Sequence, residues 1–392
     1  MKRPPVVVKR PAASSAASAE LRALRAAVLR WYRRNRRDLP WRRTRDPYAI
    51  WVSEIMLQQT RVETVIPYYE RFLTRFPTVR ALARAREEDV LAAWSGLGYY
   101  RRARGLHAAA AVMVREHGGR VPDDQESLRA LPGVGAYTAA AIASVAHGMS
   151  AAAVDGNVIR VLARIAGLRG RRDDPVLRRE VEGLATRLAE GVSPGDWTQA
   201  LMELGALVCA PRAPRCDACP AAAPCLARRS GDAAAYPEPA KTASSLPTRR
   251  VVMLLARRGA KILLVNGEAG GSRGASDAKG WSLPMADTAA KAREGTAGTT
   301  PQGTEGAARA AAVRLSRTWT KGAPVTGPTR RFRHRTYAED LHFEVWESLD
   351  PPSKGSAAAE ARWVDPARLD ELPLRGPTLK AVKGLRRRPE RA

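Results

Sequence analysis

Apolar residues recur at helical spacing through most of the first 228 residues. Leu21, Leu24 and Val28 open the pattern, and glycine-containing turns separate the segments that follow. Later predicted helical segments cover residues 49–59, 62–75, 87–94, 101–117, 126–130 and 136–146. Strand-like alternation begins only at about residue 250. The pattern therefore predicts an all-helical domain over residues 20–228.

The pattern changes after residue 228 and predicts a second, smaller domain. Two β-rich runs at 250–255 and 261–265 flank a Gly-containing turn and indicate a hairpin. The pattern further predicts loops over 266–280 and 287–306, a helix over 307–319, a strand over 342–346 and short helices over 369–372 and 379–385. These elements predict an α+β domain over residues 249–386. Residues 1–19 are predicted to be a disordered basic tail, and residues 229–248 a linker.

Charge narrows the possible partners. The chain has 392 residues and a formal net charge of +27. Such an excess favours a polyanion, most simply a nucleic acid. A coding bias towards Arg and Ala is the alternative explanation for part of it. The apolar run at residues 6–8 is too short for a signal peptide, and no segment reaches membrane-spanning length, so the protein is expected to be soluble and intracellular.

A glycine turn is the first candidate for chemistry. Gly133 and Gly135 lie directly before the apolar run at 136–146, so a tight turn should lead into a helix N-terminus. Free amides at such an end suit a phosphate, although a plain helix hairpin explains the turn equally well. Asp155 precedes another apolar-periodic run and occupies an N-cap position.

Clustered cysteines are the second candidate. Spacings of six, two and five residues separate Cys209, Cys216, Cys219 and Cys225. Clustered cysteines in an intracellular chain favour metal ligation over disulfides. A single compact all-cysteine loop favours a 4Fe-4S cluster, with zinc as the alternative. Arg212 and Arg215 within the loop form either a basic DNA-facing knob or a solvated face.

The turn, Asp155 and the cysteine spacing together resemble the endonuclease III superfamily of helix-hairpin-helix, iron–sulfur DNA glycosylases. The resemblance is strongest to MutY-type adenine DNA glycosylases. It implies an all-α glycosylase domain with a cluster loop at 209–225, followed by a small α+β Nudix-like domain. It also implies one 4Fe-4S cluster, a monomer without membrane contact in the bacterial cytoplasm, and double-stranded DNA containing A:8-oxoguanine or A:G mispairs as the partner.

The resemblance assigns the catalytic residues. Bifunctional members carry a Schiff-base lysine where this chain has Tyr137, so a monofunctional enzyme is expected. Glu54 matches the catalytic acid of adenine-specific members, and its apolar neighbours should raise its pKa. Asp155 would stabilise or trap the oxocarbenium ion. Tyr137 and Asn157 would orient Asp155, and Gly133, Gly135, Arg212 and Arg215 would contact the DNA backbone.

Base recognition is also assigned by resemblance. The residues implied around the flipped adenine are Arg37, Leu39, Trp41, Arg42 and Gln199, and those implied as wedges are Gln59, Thr60, Leu97 and Tyr99. Trp41 taken alone is more often a core residue, and Tyr99 with its neighbour could be a packed aromatic pair. Gly96 and Gly98 should let the backbone approach the base stack closely.

The second domain resembles the family's Nudix-like 8-oxoguanine recognition domain. Residues 281–284 match the aromatic-x-x-Pro that opens a Nudix box, but the acidic metal motif that should follow is missing, so hydrolase activity is not expected. Phe332 and His334 match the family's Phe-Ser/Thr-His recognition loop, with Arg333 replacing the hydroxyl residue.

Two competing functions stay open from the residues alone. One is a catalytically idle DNA-binding module, which the joint presence of Glu54, Asp155, Tyr137 and Asn157 disfavours. The other is a thymine or pyrimidine mismatch glycosylase, which Glu54 and the second domain disfavour.

Overall fold

A computed structural model describes residues 15–239, 246–266, 281–288, 301–335, 339–349, 361–383 and 385. The chain divides into two compact units. One contains Met1–Gln59 with Val112–Thr242, and the other contains Thr60–Ala111 with Ala243–Ala392. Among the described residues, no helix is both long and apolar enough to cross a membrane.

The first half of the chain is helical, as the hydrophobic pattern predicts. Its helices are α1 (Ser15–Asn35), α2 (Pro47–Leu57), α3 (Val62–Arg75), α4 (Val79–Arg84), α5 (Glu87–Ala93), α6 (Arg101–Glu116), α7 (Gln125–Ala130), α8 (Ala136–Val145), α9 (Gly156–Ala166), α10 (Pro175–Ala189), α11 (Pro194–Leu207) and α12 (Leu226–Arg229). Helix α1 begins before the predicted boundary at residue 20, because its first residues are mostly alanine, the strongest helix former.

The core of the first unit forms where α1, α9, α10 and α11 meet. Val28 and Tyr32 of α1 pack with Val158 of α9, Leu177 of α10 and Trp197 of α11, each with 2% or less of its surface exposed. A buried large apolar side chain contributes about 1.5–3 kcal/mol. This core fixes the starts of α9 and α11, which carry candidate site residues.

Local signals set the ends of these helices. Asp46 caps α2, Asp155 caps α9 and Ser193 caps α11, each accepting from a backbone amide of the first turn. Pro47 and Pro194 occupy first-turn positions, where the missing amide costs nothing.

Among the residues that the structure describes, the second unit contains a mixed sheet of seven strands. Its strands are β1 (Thr248–Arg258), β2 (Lys261–Asn266), β3 (Trp281–Ser282), β4 (Met285–Asp287), β5 (Val325–Arg335), β6 (Asp340–Leu349) and β7 (Ala361–Val364). The order β3-β2-β1-β6-β5 forms the main path, with β4 against β1 and β7 against β2. Strands β1 and β6 are parallel, whereas the other pairs among these described strands are antiparallel.

Alternation along β1 places two apolar faces on opposite sides of the sheet. Val252, Leu254 and Ala256 pack against helix α13 (Pro301–Thr320). Val251, Met253 and Leu255 face the other side, where the 3₁₀ helix Pro366–Glu371 and helix α14 (Gly376–Ala381) contribute to the core. The α+β prediction for this region is confirmed.

Several sequence predictions for the second half need correction. The hairpin is confirmed, with Arg258 paired to Lys261, and the predicted strand at 342–346 is part of the longer β6. Residues 301–306 are helical rather than loop. Residues 369–371 are the end of a 3₁₀ helix rather than a separate helix, Leu372 is its extended C-cap, and α14 starts at Gly376 rather than at residue 379. Residues 267–280 and 289–300 of the predicted loops lie outside the described residues, as do residues 1–14 of the tail.

Strand β5 and the linker also differ from prediction. Strand β5 was not predicted, because a run of arginines hides its alternation, so Phe332, Arg333 and His334 lie in a strand rather than a loop. The first part of the predicted linker is bound to the first unit. The Glu238 amide donates to Gly170 O at 2.9 Å, and the backbone of Glu238 forms an isolated β-bridge with that of Arg171. Residues 240–245 lie outside the described residues.

Candidate active site

Glu54 lies on α2 among buried apolar residues. Its immediate neighbours Ser53 and Ile55 are buried, while Glu54 itself keeps a partly exposed surface. Burial raises the pKa of Glu54 to about 7, and the nearby charge of Asp155 adds to the rise. A hydrogen bond from Tyr137 and the charge of Arg42 oppose it. The predicted rise in pKa is therefore present, and the group can hold a proton near neutral pH.

Tyr137 links α8 to Glu54. The Tyr137 hydroxyl donates to Glu54 Oε2 at 3.1 Å and lies 3.7 Å from Met202 Sδ. Burial, together with the charges of Glu54 and Asp155, raises the pKa of Tyr137 well above its usual value. The phenol therefore stays protonated and acts as a hydrogen-bond donor within the site.

Asp155 is held by two hydrogen bonds at the start of α9. Its Oδ1 accepts from Val158 N at 2.7 Å, and its Oδ2 accepts from Asn157 Nδ2 at 2.8 Å. The N-cap interpretation is thus confirmed. The capping contacts leave further lone pairs on both carboxylate oxygens, so capping fixes the orientation of the group without using up its capacity to interact.

The chain of contacts continues from Asn157 to the cysteine loop. Arg160 donates from Nη2 to Asn157 Oδ1 at 2.8 Å and from Nε to Cys209 O at 2.8 Å. A Cβ on Gly205 would lie 2.6 Å from Asn157 Cβ, so only glycine lets α11 approach this closely. Neither Arg160 nor Gly205 was singled out from the sequence.

A second carboxylate lies on α11. Glu203 is 1% exposed and accepts from Arg37 Nη2 and Arg42 Nη2, each at 2.8 Å. Burial alone would raise its pKa, but hydrogen bonds from Arg37 and Arg42 lower the pKa of Glu203 to about 2. Two residues predicted to surround the adenine are therefore held together by a glutamate that the sequence analysis missed.

The other predicted adenine contacts lie around Tyr32 or within the core. The Tyr32 hydroxyl donates to Gln199 Oε1 at 3.1 Å, and the Arg42 guanidinium lies 5.7 Å from the centre of the Tyr32 ring. Leu39 and Trp41 are buried, at 5% and 7% exposure. The core alternative for Trp41 thus agrees with its burial in this structure.

The four cysteines come together as the spacing predicts. All four line one cavity with Arg164, Leu204 and Val208. Burial raises the pKa of Cys219 to about 11, and the other three thiols add to the rise. Within the described ranges, no three Cys, His, Asp or Glu side chains are arranged around a single point as an ion site would require. Four thiols that line one cavity are nevertheless the donor set that a thiolate-bound metal centre uses.

Arg164 holds the cysteine loop in place. It is 3% exposed and donates to Ala210 O at 2.7 Å and Pro211 O at 2.9 Å. Its Nη1 also lies 3.3 Å from Cys209 Sγ. On the outer side of the loop, Arg212 and Arg215 are exposed, and Arg215 Nη2 donates to Leu207 O.

The glycine turn has the geometry that the sequence predicts. Gly133 has a φ of 76°, a conformation that favours glycine. Gly135 caps α8 without a side-chain hydrogen bond, and a Cβ placed there would meet nothing within 4 Å. The turn therefore leaves amides at the positive end of a ten-residue helix accessible.

The predicted wedge residues differ in exposure. Gln59 and Tyr99 have φ values of 59° and 50°, and among the described residues Lys321 is the other non-glycine case. Such strain is often stored at functional sites. Tyr99 is 44% exposed, whereas Leu97 is 6% exposed and is not presented to solvent. Thr60 Oγ1 accepts from Arg102 at 3.0 Å.

Arg102 organises the turn that carries Tyr99, and the sequence analysis missed it. Its Nη2 donates to Leu97 O and Gly98 O at 3.2 Å each. Its guanidinium also lies 5.4 Å from the centre of the Tyr99 ring. The backbone of Gly96 in this turn lies against the Tyr68 side chain. A Cβ at position 96 would lie 2.0 Å from the Tyr68 hydroxyl, so this position requires glycine.

Strand β5 presents Phe332 and His334 on one face. Phe332 stacks on Phe343 of β6 with ring centres 5.1 Å apart. Burial, with a contribution from Lys380, lowers the pKa of His334, which favours the neutral ring. Arg333 points to the other face, where its guanidinium pairs with the Asp340 carboxylate.

Glu54, the glycine turn and the capping Asp155 all lie within one stretch of the chain that matches a known family. Residues 52–186 match the HhH-GPD superfamily of base excision DNA repair proteins. A solved thermostable thymine-DNA glycosylase is 32% identical, with a TM-score of 0.51, over 55% of this chain and 100% of that chain. The chain therefore belongs to the HhH-GPD superfamily.

Two curated relatives of this chain are adenine DNA glycosylases. Adenine DNA glycosylase of Homo sapiens is 47% identical over 220 residues, covering 54% of this chain and 40% of the relative. Adenine DNA glycosylase of Mycolicibacterium smegmatis is 45% identical over 194 residues, covering 49% of this chain and 66% of the relative. The chain thus spans about half the length of the curated relatives that it matches.

Proposed function

We propose that this protein is a monofunctional adenine DNA glycosylase that removes adenine paired with 8-oxoguanine or guanine. The observation that carries the proposal is the state of the Glu54 carboxyl. Its pKa is about 7, it accepts a hydrogen bond from Tyr137, and the charge of Asp155 helps to raise its pKa. Two carboxyls in different environments suit a reaction that needs one acid and one anion. Similarity to curated adenine DNA glycosylases supports the choice of base.

The chemistry divides between the two carboxyls. Adenine is a poor leaving group as an anion, so Glu54 donates a proton to N7 as the glycosidic bond breaks. Positive charge then develops at C1′ of the sugar, and Asp155 stabilises it or traps it covalently. Water attack leaves an abasic site. Glycoside hydrolases divide acid and anion roles between two carboxyls in the same way.

Tyr137 accounts for the monofunctional assignment. A lyase step needs an amine nucleophile that forms a Schiff base, and the position that carries it in bifunctional members is a tyrosine here. Tyr137 instead donates to Glu54 and helps to position the acid. The product should therefore be an abasic site in an intact strand.

Reaching the adenine requires base extrusion, which costs a few kcal/mol. We assign Gln59, Thr60 and Tyr99 to filling the gap, whereas Leu97, which is buried, is not assigned to it. The pocket for adenine consists of Arg37, Leu39, Trp41, Arg42 and Gln199. The second domain is Nudix-like and reads the opposite base with Phe332 and His334. Arg333, engaged by Asp340, is not assigned to the lesion.

The cysteine loop would hold one 4Fe-4S cluster through Cys209, Cys216, Cys219 and Cys225. When bound, the cluster supplies a structural cross-link within the loop, because a four-cysteine site leaves no open coordination position. Arg164 and Arg160 then connect that loop to α9. Anaerobically purified protein should contain about four irons per chain. Stoichiometric zinc without iron would contradict this assignment.

A strand-labelled duplex tests the function. The adenine strand opposite 8-oxoguanine should become alkali-labile at the adenine, and it should stay intact without alkali. An A:T duplex is the control and should not react. The similarity to a thymine-DNA glycosylase makes T:G the competing substrate. Alkali-labile sites at thymine of T:G with none at adenine would favour that second function instead.

A further inference from the structure

Two side chains of one turn bind both backbone groups of Leu374. The Tyr100 hydroxyl donates to Leu374 O, and Leu374 N donates to Ser95 Oγ at 3.3 Å, besides its bond to Leu372 O at 2.9 Å. Tyr100 is 6% exposed and Leu374 is fully buried. Burial raises the pKa of Tyr100 to about 12, so its phenol remains a donor at neutral pH. We call this set the Leu374 contact.

Beyond Leu374, the chain enters helix α14, which is hydrogen-bonded to strand β5. Helix α14 starts two residues later, and Arg330 of β5 donates to Lys380 O at 2.8 Å and Ala381 O at 2.9 Å. Lys380 Nζ in turn donates to Arg333 O at 3.0 Å. These bonds tie α14 to the stretch of β5 that carries Phe332 and His334.

The start of α14 also lies against the imidazole of β5. A Cβ on Gly376 would lie 3.4 Å from His334 Cε1, so the backbone there is in close contact with the ring. A shift of Leu374 would therefore move the residues that fix His334. The coupling therefore runs through the Arg330 and Lys380 hydrogen bonds and through the close contact at Gly376.

At its other end, the Leu374 contact belongs to the turn that presents Tyr99. Residues 95–100 contain Ser95, Tyr100 and, between them, Tyr99 with its positive φ and exposed ring. A cavity of about 820 Å³ lies beside the contact and is lined by Ser95, Gly96 and residues of α14. Among the described residues, its lining includes no carboxylate and four cations: Arg71, Arg75, Lys380 and Lys383. Such a lining suits DNA phosphate.

We propose that Tyr100 and Ser95 are positioning residues that hold strand β5 at a fixed place relative to Tyr99. Leu374 thereby fixes the position of Tyr99, which inserts into the duplex, relative to Phe332 and His334, which read the opposite base. This inference rests on the proposed function and adds a determinant of lesion preference that touches neither the adenine nor the lesion.

Tyr100→Phe tests the inference, because it removes one hydroxyl and keeps the ring. The measured quantity is kcat/KM for A:8-oxoguanine divided by kcat/KM for A:G. This ratio should fall about five- to tenfold, as expected for one lost buried hydrogen bond. Activity on A:G should be unchanged. Ser95→Ala should act in the same direction with a smaller effect. Tyr69→Phe, at another buried tyrosine of the same unit, is the control and should leave the ratio unchanged.

A double-variant cycle separates positioning from general damage. In a chain that carries Phe332→Ala and His334→Ala, Tyr100→Phe should lower the ratio no further, because the strand that it positions no longer reads the lesion. Equal losses on both duplexes in the single variant, or additive losses in the combined variant, would overturn the proposal.

Hydrogen exchange of the free protein gives a readout that does not depend on catalysis. Amides of residues 372–382 should exchange faster in Tyr100→Phe than in the wild type, while those of β6 stay unchanged. If no adenine is released by the wild type but this difference is seen, the proposed function fails and the Leu374 contact stands. Unchanged exchange over 372–382 would overturn the contact whatever the enzyme does.

Discussion

Two glutamates of the first unit have opposite protonation behaviour, although desolvation shifts the pKa of both in the same direction. Glu54 on α2 has a pKa raised to about 7, whereas Glu203 on α11 has a pKa lowered to about 2. Burial pushes both values upward. The partners make the difference, because Glu54 accepts from a neutral phenol and Glu203 accepts from two guanidinium groups.

The comparison shows that burial alone does not define an acid. A buried carboxyl becomes a proton donor when its partners carry no compensating positive charge, and a structural anion when they do. Glu54 is therefore suited to transferring a proton, and Glu203 to holding Arg37 and Arg42 in position. The two sites make different predictions for the same Glu→Gln substitution.

The largest expected effect is the loss of catalytic rate in the Glu54→Gln variant. The amide keeps the shape of the side chain but cannot donate a carboxyl proton, so the single-turnover rate should fall about 10²- to 10⁴-fold. Duplex affinity, measured by fluorescence anisotropy, should change little. Glu63→Gln on the exposed surface of α3 is the matched control. Weakened binding with an unchanged rate would contradict the acid role.

Glu203→Gln should chiefly lower the free energy of unfolding. Removing one member of a buried ion-pair cluster leaves two arginines without their anion and should cost about 3–5 kcal/mol in the free energy of unfolding. Urea unfolding at pH 7 measures this cost. If stability is unchanged while adenine removal is lost, Glu203 is a catalytic group rather than an anchor.

The pH dependence of stability sharpens the contrast between the two sites. The pKa of Glu203 is lowered on folding, so its contribution is present above about pH 4.5 and is lost as the pH falls towards 2. The pKa of Glu54 is raised, so its contribution is present below about pH 4.5 and is lost as the pH rises through 7. At pH 8, Glu54→Gln should therefore unfold at higher urea concentration than the wild type, and Glu203→Gln at lower. If both variants shifted the urea midpoint in the same direction at pH 8, the opposite roles of the two carboxyls would be wrong.

A smaller effect is expected at Arg160, which touches neither glutamate. Arg160→Gln removes the donor that fixes Asn157, and thus the orientation of Asp155, so kcat should fall about 10- to 100-fold. The KM for the duplex should change little. Arg178→Gln on α10, where the arginine is half exposed, serves as the control. A rise in KM with kcat unchanged would assign Arg160 to DNA binding instead.

The smallest effect concerns Arg212 and Arg215 on the cysteine loop. Each change to alanine should weaken binding to all duplexes alike and reduce the slope of log K against log salt by about one. Anisotropy titrations at several salt concentrations measure this slope. If lesion preference changed at constant affinity, the phosphate-contact assignment would be wrong.

Local motifs explain what the sequence could predict. Glu54, Asp155 and the cysteines are set by short patterns, and the structure brings Glu54 and Asp155 into one site and the four cysteines around one cavity. Glu203 was missed because its partner Arg37 lies 166 positions away, and no spacing rule reports such a pair. The Leu374 contact, 274 positions from Tyr100, was missed for the same reason.

Strand β5 escaped prediction for a different physical reason. Its alternation is carried by long cationic side chains that pair with β6 and α14 rather than by apolar residues. Arg333 is the clearest case. The sequence marks it as a departure from the recognition motif, and the structure shows why an arginine is accommodated, since Asp340 of β6 pairs with it.

The pH dependence of single-turnover adenine release by the wild type tests whether Glu54 acts as the acid with its pKa raised to about 7. On an A:8-oxoguanine duplex at saturating enzyme, the rate should be constant below about pH 6 and fall tenfold per pH unit above pH 8. The residual rate of Glu54→Gln should lack this decline. A wild-type rate that is flat or rises between pH 6 and pH 9 would contradict the account.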